Sequence, residues 1–493
     1  MKKKSSYKIL SSPLFIVLFL FTIFVLISFN RVMNNDEGMW SYIGRIWSDN
    51  GIAPYLGAVD NKTPGIFEIY AISNLLFGVN VFFVRWLGVA LLLLSSFIIY
   101  LIAKKLHSRL AGVISMYIFG LSMTWELMDG AYSSQTESFM VFFSVLAFYF
   151  VIKAKEKQNG FFWIILAGIS MGFAIAFKQI AVTTMVALLF FYLVFSAKNK
   201  AKKSVLFGVI FLVFGVVIST IISVIPLLLS GVSFNDYFDG AWLILSNSAS
   251  SAPSVVRLNG FIHLWLNSRI VIFYPLLFLI FIQRDLIKKK YFLGLIFWLV
   301  LDFIGVNASG YYYGHQVKQL MPALALIVGI LLSNRILEVQ KIKSMIHKQA
   351  TILIATIIIL GLPYQDILIN GYIITAYSDN NKEIGLWVKN HTENGDYVYL
   401  SGSYGSPILA YSKRKSPSKY FHPIFATNKK TQNQLLTDLM LNPPKYFLKH
   451  QIDKNIGEEI EAFVSHNYSY QFSKDSYDFY LFDPKKITIN GRF

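Results

Sequence analysis

The chain has 493 residues, of which 55% are hydrophobic, 16% aromatic and only 15% charged. Soluble globular domains carry about a quarter charged residues, so this composition excludes an ordinary soluble enzyme and describes a chain mostly embedded in lipid, with room for one water-exposed module. The formal net charge is +18, but the basic residues lie in short runs between apolar segments, where membrane topology places them, which argues against nucleic acid as a partner. There is no cysteine, which excludes disulfides, thiolate chemistry and Cys-bound zinc.

The N-terminus carries Lys2, Lys3, Lys4 and Lys8, then an apolar run from Pro13 to Phe29 that ends on Asn30 and Arg31. A cleaved signal has a shorter apolar core and a small-residue cleavage site, so this run is predicted to be an uncleaved first span with a cytoplasmic N-terminus. Further apolar stretches fall near 81–103, 110–124, 138–152, 160–177, 180–196, 204–229, 270–282, 291–306, 317–333 and 350–369. Together these predict about eleven transmembrane helices, some short for a ~30 Å core and extended by flanking polar residues.

Threading the chain from a cytoplasmic N-terminus makes every second loop cytoplasmic. Those loops hold Lys104, Lys105 and Arg109; Lys153, Lys155 and Lys157; Lys198, Lys200, Lys202 and Lys203; Arg284, Lys288, Lys289 and Lys290; and Arg335, Lys341, Lys343 and Lys348. The opposite loops carry only scattered cations, as the positive-inside rule requires. The 160–196 stretch is too long for one span and has Lys178-Gln179 at its middle. It reads as two helices, because a lysine at the centre of a single span would cost several kcal/mol. The ordinary alternative for Lys178 is a lysine that snorkels to the interface.

From about Asp379 charged, Asn and Pro residues return. Helices are predicted over 382–394, 433–441 and 456–466, and strands at Tyr397–Leu400 and Phe479–Phe482, with Tyr446-Phe447-Leu448 following a Pro-Pro break and a turn-rich stretch over Ser401–Pro407. Short strands alternating with helices describe a small α/β domain, which eleven crossings place outside the cytoplasm. The predicted architecture is an all-α polytopic membrane bundle over residues 1–375, including a first outer loop at 30–80 with interfacial helices, and an extracytoplasmic α/β domain over 376–493.

The outer loops gather the chemistry. The first contains Asn34-Asn35-Asp36-Glu37, then Gly38–Asp49 with Met39, Trp40, Ile43, Ile46 and Trp47 on roughly one helical face, and a second amphipathic stretch from about Ile66. Both stretches read as helices lying in the interface. Between them is Asp60-Asn61-Lys62-Thr63-Pro64-Gly65. Taken alone, a solvated loop with ordinary acids is the better reading. Other outer loops add Asp129, Tyr132, Gln135 and Glu137, then Lys178, then Tyr311-Tyr312-Tyr313-Gly314-His315-Gln316 with Lys318 and Gln319. A mixed cluster of acids and cations at one membrane face is a functional-site hypothesis.

These residues carry a resemblance. Asp36-Glu37 after the first span, the Lys62-Thr63-Pro64-Gly65 turn, the segment GFAIAFKQ at 172–179 and YYYGHQVKQLMPALAL at 311–326 occur in that order. The sequence resembles the C-type (GT-C) glycosyltransferases of the protein O-mannosyltransferase and aminoarabinose-transferase superfamily (glycosyltransferase family 39 and its bacterial relatives), over roughly residues 10–335. One departure is Thr63, where the family often has proline; Pro64 still stiffens the turn.

The resemblance implies a glycosyltransferase that moves a sugar from a polyprenyl-phosphate donor to an envelope glycan, lipid or protein acceptor at the outer face of the plasma membrane. By resemblance Asp36 is the general base that takes the acceptor's proton. Lys62, Lys178, His315 and Lys318 are the candidates for binding the donor phosphate, whose charge grows as it leaves. Glu37 belongs to the catalytic pair. Glu137, Tyr313 and Gln319 are candidates for holding sugar or acceptor. One base and one leaving phosphate imply direct displacement with inversion. No metal ligand is assigned and no cofactor is required, although a divalent cation such as Mg²⁺ or Mn²⁺ stays open, because acids alone can hold one. The competing reading is a polyprenyl-linked lipid or polysaccharide transporter, which needs a polar midplane path and usually repeated halves; no internal repeat is evident here. A polysaccharide polymerase of another membrane fold is the third.

Overall fold

The computed structural model describes residues 32–123, 125, 134–156, 160–196, 202–244, 254–341, 379–402, 404–426, 428–452 and 457–489, with Leu18 and Thr22. The expected spans at 13–29 and 350–369 and the candidates Asp129 and Tyr132 lie outside these residues. The chain packs as two compact units. One, here the helical unit, takes residues 1–31, 85–224 and 246–376; the other, the mixed unit, takes Val32–Val84, Ile225–Leu245 and Tyr377–Phe493.

In chain order the principal helices are α1 (Asn35–Asn50), α2 (Gly65–Phe77), α3 (Phe82–Leu106), α4 (Arg109–Ser122), α5 (Thr136–Glu156), α6 (Gly160–Phe177), α7 (Ala181–Ser196), α8 (Lys202–Leu229), α9 (Phe234–Phe238), α10 (Ser254–Trp265), α11 (Phe273–Ile282), α12 (Lys290–Ala308) and α13 (Met321–Lys341). Among the described residues, α3, α5, α6, α8 and α12 are long and apolar enough to cross a membrane, and a sixth span arises if α10 and the stretch 269–282, bent by 47°, count as one. Shorter apolar helices include α2, α4 and most of α7 and α13. The protein is thus a multi-pass membrane protein, and each predicted span that falls on described residues is a helix. Helix α10 was not predicted from sequence, because Asn259-Gly260 at its centre reads as a turn signal.

Within the helical unit, small residues let helix backbones meet. A Cβ added at Gly168 or Gly172 of α6 would collide with the backbone or with Ser219 of α8, and one at Gly215 would lie 3.0 Å from the Gly168 Cα. Apolar surface drives little association in lipid, so close approach at small-x-x-x-small stretches supplies the packing.

In the mixed unit the C-terminal part contains α14 (Asn380–His391), β1 (Val398–Leu400), α15 (Ser406–Ser412), α16 (Lys429–Leu441), β2 (Tyr446–His450), α17 (Glu458–Asn467), β3 (Tyr468–Lys474) and β4 (Tyr477–Phe482). The sheet order is β1-β2-β4-β3, with β1 parallel to β2 and the other pairs antiparallel. Tyr399, Leu435, Leu439, Phe447, Ile460 and Tyr468 form its core. Two elements escaped the sequence reading. Strand β3 is an edge strand of mostly polar residues, and α15 starts inside the turn-rich Ser401–Pro407.

The stretch Val32–Val84 belongs to this same unit. Gly38 of α1 lies so close to Pro407 that a Cβ would clash. Arg45 donates to the Lys413 and Arg414 carbonyls at 3.3 and 2.6 Å, and the Ser416 N–H donates to the Tyr42 hydroxyl at 2.8 Å. Arg414 in turn is buried against the end of α14, donating to the carbonyls of Lys389 and Thr392 at 3.0 and 2.7 Å, the placement that the negative C-terminal end of a helix favours.

Helices α1 and α2 cross at Gly44, where a Cβ would lie 2.6–2.7 Å from the backbone of Tyr70 and Ala71. Gly44→Ala is expected to force the helices apart at a cost of about 1–3 kcal/mol, read as a lowered thermal-unfolding midpoint of the detergent-purified protein. An unchanged midpoint would show that the crossing is not tight.

Candidate functional site

The acidic pair divides by role. Asn34 caps α1: its side chain accepts from the Glu37 N–H at 2.8 Å, and the Asn34 N–H donates back to Glu37 Oε2 at 3.2 Å. This is a capping box, and it fully buries Glu37. Asp36 stands beside it in the first helical turn, half-buried, where the helix dipole favours a carboxylate.

Trp40, one turn on, donates its indole N–H to Asp60 Oδ2 at 3.1 Å. That bond joins α1 to the turn carrying Lys62. Asp60 is buried, and its Oδ1 lies 3.7 Å from the Lys62 ammonium. Burial raises the Asp60 carboxyl above the ordinary aspartate range; Lys62 pulls it back and Asp36 pushes it up again. Lys62 also donates to Asn61 Oδ1 at 2.5 Å. Thr63 and Pro64 are buried and lead into α2.

The helical unit holds the second cluster. Glu137, in the first turn of α5, is 1% exposed. Its Oε1 is ion-paired with Lys178 from the α6–α7 turn and lies 3.7 Å from His315 Nε2. Thr136 Oγ1 donates to its Oε2 at 3.0 Å. Lys318, fully buried, donates to Ser138 Oγ at 3.3 Å and adds its charge to the field on Glu137. So Glu137, Lys178, His315 and Lys318, spread over 181 positions from 137 to 318, meet in one place. Tyr311, Tyr313 and His315 stack as a ladder, with ring centroids 5.8 and 5.6 Å apart and planes within 9°.

Gln319 is turned inward. Its Nε2 lies 2.9 Å from Thr183 Oγ1 and 3.1 Å from Asp302 Oδ1. Asp302 is fully buried in α12 and also accepts from Thr184 at 2.6 Å and Trp298 at 2.7 Å. This network fastens the 3-10 turn Gly314–Gln319, which carries His315 and Lys318, to α7 and α12. Asp302 is not among the residues expected from sequence. The available signal was an acid in an apolar helix with Trp298 one turn before it.

The donor set bears on a metal. Among the described residues no three His, Cys, Asp or Glu side chains gather as an ion-binding group.

The family model for dolichyl-phosphate-mannose-protein mannosyltransferase matches residues 61–223, and a model for the C-terminal domain of the competence-induced protein Ccs4 matches residues 378–485. No curated protein matches the chain in sequence. Among solved structures, ArnT from Cupriavidus metallidurans bound to undecaprenyl phosphate is similar at TM-score 0.64 and 14% identity, covering 95% of this chain and 98% of that one. The archaeal oligosaccharyltransferase AglB from Archaeoglobus fulgidus, in complex with an inhibitory peptide and a dolichol-phosphate, is similar at TM-score 0.56 and 12% identity, covering 96% and 75%. The same protein in complex with Zn and sulfate gives TM-score 0.56 at 13% identity, covering 96% and 74%. The fold is therefore the C-type glycosyltransferase fold, and the resemblance to the O-mannosyltransferase and aminoarabinose-transferase superfamily holds in family model and in structure.

Removing one partner of a buried ion pair strands the other. Glu137→Gln is expected to cost about 3 kcal/mol, the low end of the usual range because Lys178 keeps some solvent contact, seen as lost thermal stability in detergent. Adding Lys178→Met should restore most of it. A double variant no more stable than the single one would show that the pair does not stabilise the turn.

Proposed function

We propose that this chain is a membrane glycosyltransferase that moves a sugar from a polyprenyl-phosphate donor to an envelope glycan, lipid or protein acceptor on the outer face of the plasma membrane. The supporting observation is the cation cluster of Lys178, His315 and Lys318 around Glu137, set in a fold whose solved members ArnT and AglB have been seen with undecaprenyl phosphate and a dolichol-phosphate. A departing lipid phosphate gains negative charge in the transition state, and fixed cations in a low-dielectric site stabilise it most.

In this reading Asp36 is the general base. It takes the proton of the acceptor hydroxyl as the oxygen bonds to the anomeric carbon and the bond to the phosphate breaks, so the anomeric centre inverts. Glu37 serves the same step by holding the turn on which Asp36 stands. Lys62, Lys178, His315 and Lys318 bind the phosphate. Glu137 and Tyr313 face sugar or acceptor, and Gln319 holds the turn beside them. Residues 1–375 form the transferase domain and 376–493 an extracytoplasmic α/β domain, with the N-terminus in the cytoplasm; the basic loops support that orientation.

Purified protein with a panel of polyprenyl-phosphate sugars and an envelope extract is expected to release polyprenyl phosphate in step with sugar transfer. Asp36→Asn should lower the rate by roughly 10²–10⁴-fold while leaving binding of undecaprenyl phosphate intact. Near wild-type turnover in Asp36→Asn would remove the base assignment. Lipid binding without turnover of any donor would favour a transporter.

A further inference from the structure

Tyr55 lies in the loop between α1 and α2 with φ +71°, a left-handed conformation that bulky side chains rarely adopt. Such outliers persist only where the surroundings enforce them. Here the Tyr55 N–H donates to the Ala58 carbonyl at 2.8 Å. The ring is buried, edge-on to Phe67 and Tyr237 with centroids 5.9 Å away in each case. Gly240 presents bare backbone to the ring, and a Cβ there would collide with it. Gly240 belongs to a π-helical turn, Asp239–Leu243, that directly follows α9. Wide turns of this kind are rare and concentrate at functional sites.

The aromatic seat would hold a phenylalanine as well. What the hydroxyl adds is one bond: it donates to the Lys62 carbonyl at 2.5 Å. Burial pushes the phenol well above the ordinary tyrosine range, so the proton to be donated stays in place. That carbonyl belongs to the residue whose ammonium stands between Asp60 and Asn61. The next residues, Thr63 and Pro64, leave the peptide little other freedom, since proline restricts the residue before it.

We propose that Tyr55 is a positioning residue for Lys62: seated on the Gly240 turn, its hydroxyl clamps the Lys62 carbonyl and so fixes the direction from which the ammonium meets the donor phosphate. This rests on the phosphate role proposed for Lys62. It also gives the stretch between α8 and α10, which carries none of the assigned residues, a part in the chemistry.

The test is a double-mutant cycle in equilibrium binding of undecaprenyl phosphate to full-length protein in detergent, using wild type, Tyr55→Phe, Lys62→Ala and the double variant. Hydrogen–deuterium exchange over residues 58–66 is followed without lipid. Tyr55→Phe should weaken binding roughly fivefold, the worth of one ordinary hydrogen bond, and speed exchange in the turn. The double variant should bind no more weakly than Lys62→Ala, because residues acting through one another are not additive. If Tyr55→Phe weakens binding by the same factor in both backgrounds, Tyr55 acts independently of Lys62 and the proposal falls. It falls equally if the single variant matches wild type in affinity and exchange. Wild-type affinity in Lys62→Ala would instead remove the phosphate role of Lys62 itself, an outcome told apart by that variant alone.

Discussion

A carboxylate taken out of water must be matched where it stands, and Glu137 is the place where this constraint is sharpest. Desolvating a charge costs several kcal/mol unless partners of good geometry replace the solvent. The partners here come from separate turns: Lys178 between α6 and α7, His315 before α13. The buried ion cluster fixes the register of these turns, because a shift of one turn would strand a charge. The polar ends of the helical unit are thus held in register by Glu137, Lys178 and His315.

The mixed unit solves its version of the problem with hydrogen bonds. Glu37 is buried in its capping box with Asn34. Asp60 is held by Trp40 and faced by Lys62. Arg45 and Tyr42 of α1 are held by the backbone of 413–416. A short helix carrying an acidic pair would fray if left alone in the interface, since isolated helices of about this length are marginal. Burying one face on α2 and another on the C-terminal segments holds it rigid.

Much of this was legible in the sequence. Long apolar runs and the alternation of basic loops name the spans. The acidic pair, the Lys62 turn, Lys178 and the 311–319 segment each announce themselves as polar residues at span ends. The Asn34-x-x-Glu37 spacing was also readable as a capping box, although the pair drew attention as chemistry first. What stayed hidden depends on contacts far apart in the chain. Arg45 meets Arg414 across 369 positions, and no local pattern encodes that meeting. Strand β3 is an edge strand whose polar residues give little alternation to read. Asp302 looks like an ordinary acid at a span end until Thr184, Trp298 and Gln319 are seen to converge on it.

The pairing of charges carries the chemical argument one step further. A general base has to keep an affinity for protons, and an ammonium placed against it would lower that affinity. A leaving phosphate needs the opposite, cations held close and dry. One chain that does both must keep its lysines away from its base. Here Lys62 stands by Asp60 and Lys178 by Glu137. Fixed cations bind a growing negative charge more tightly than a resting one, which is the preference that catalysis by electrostatic stabilisation requires.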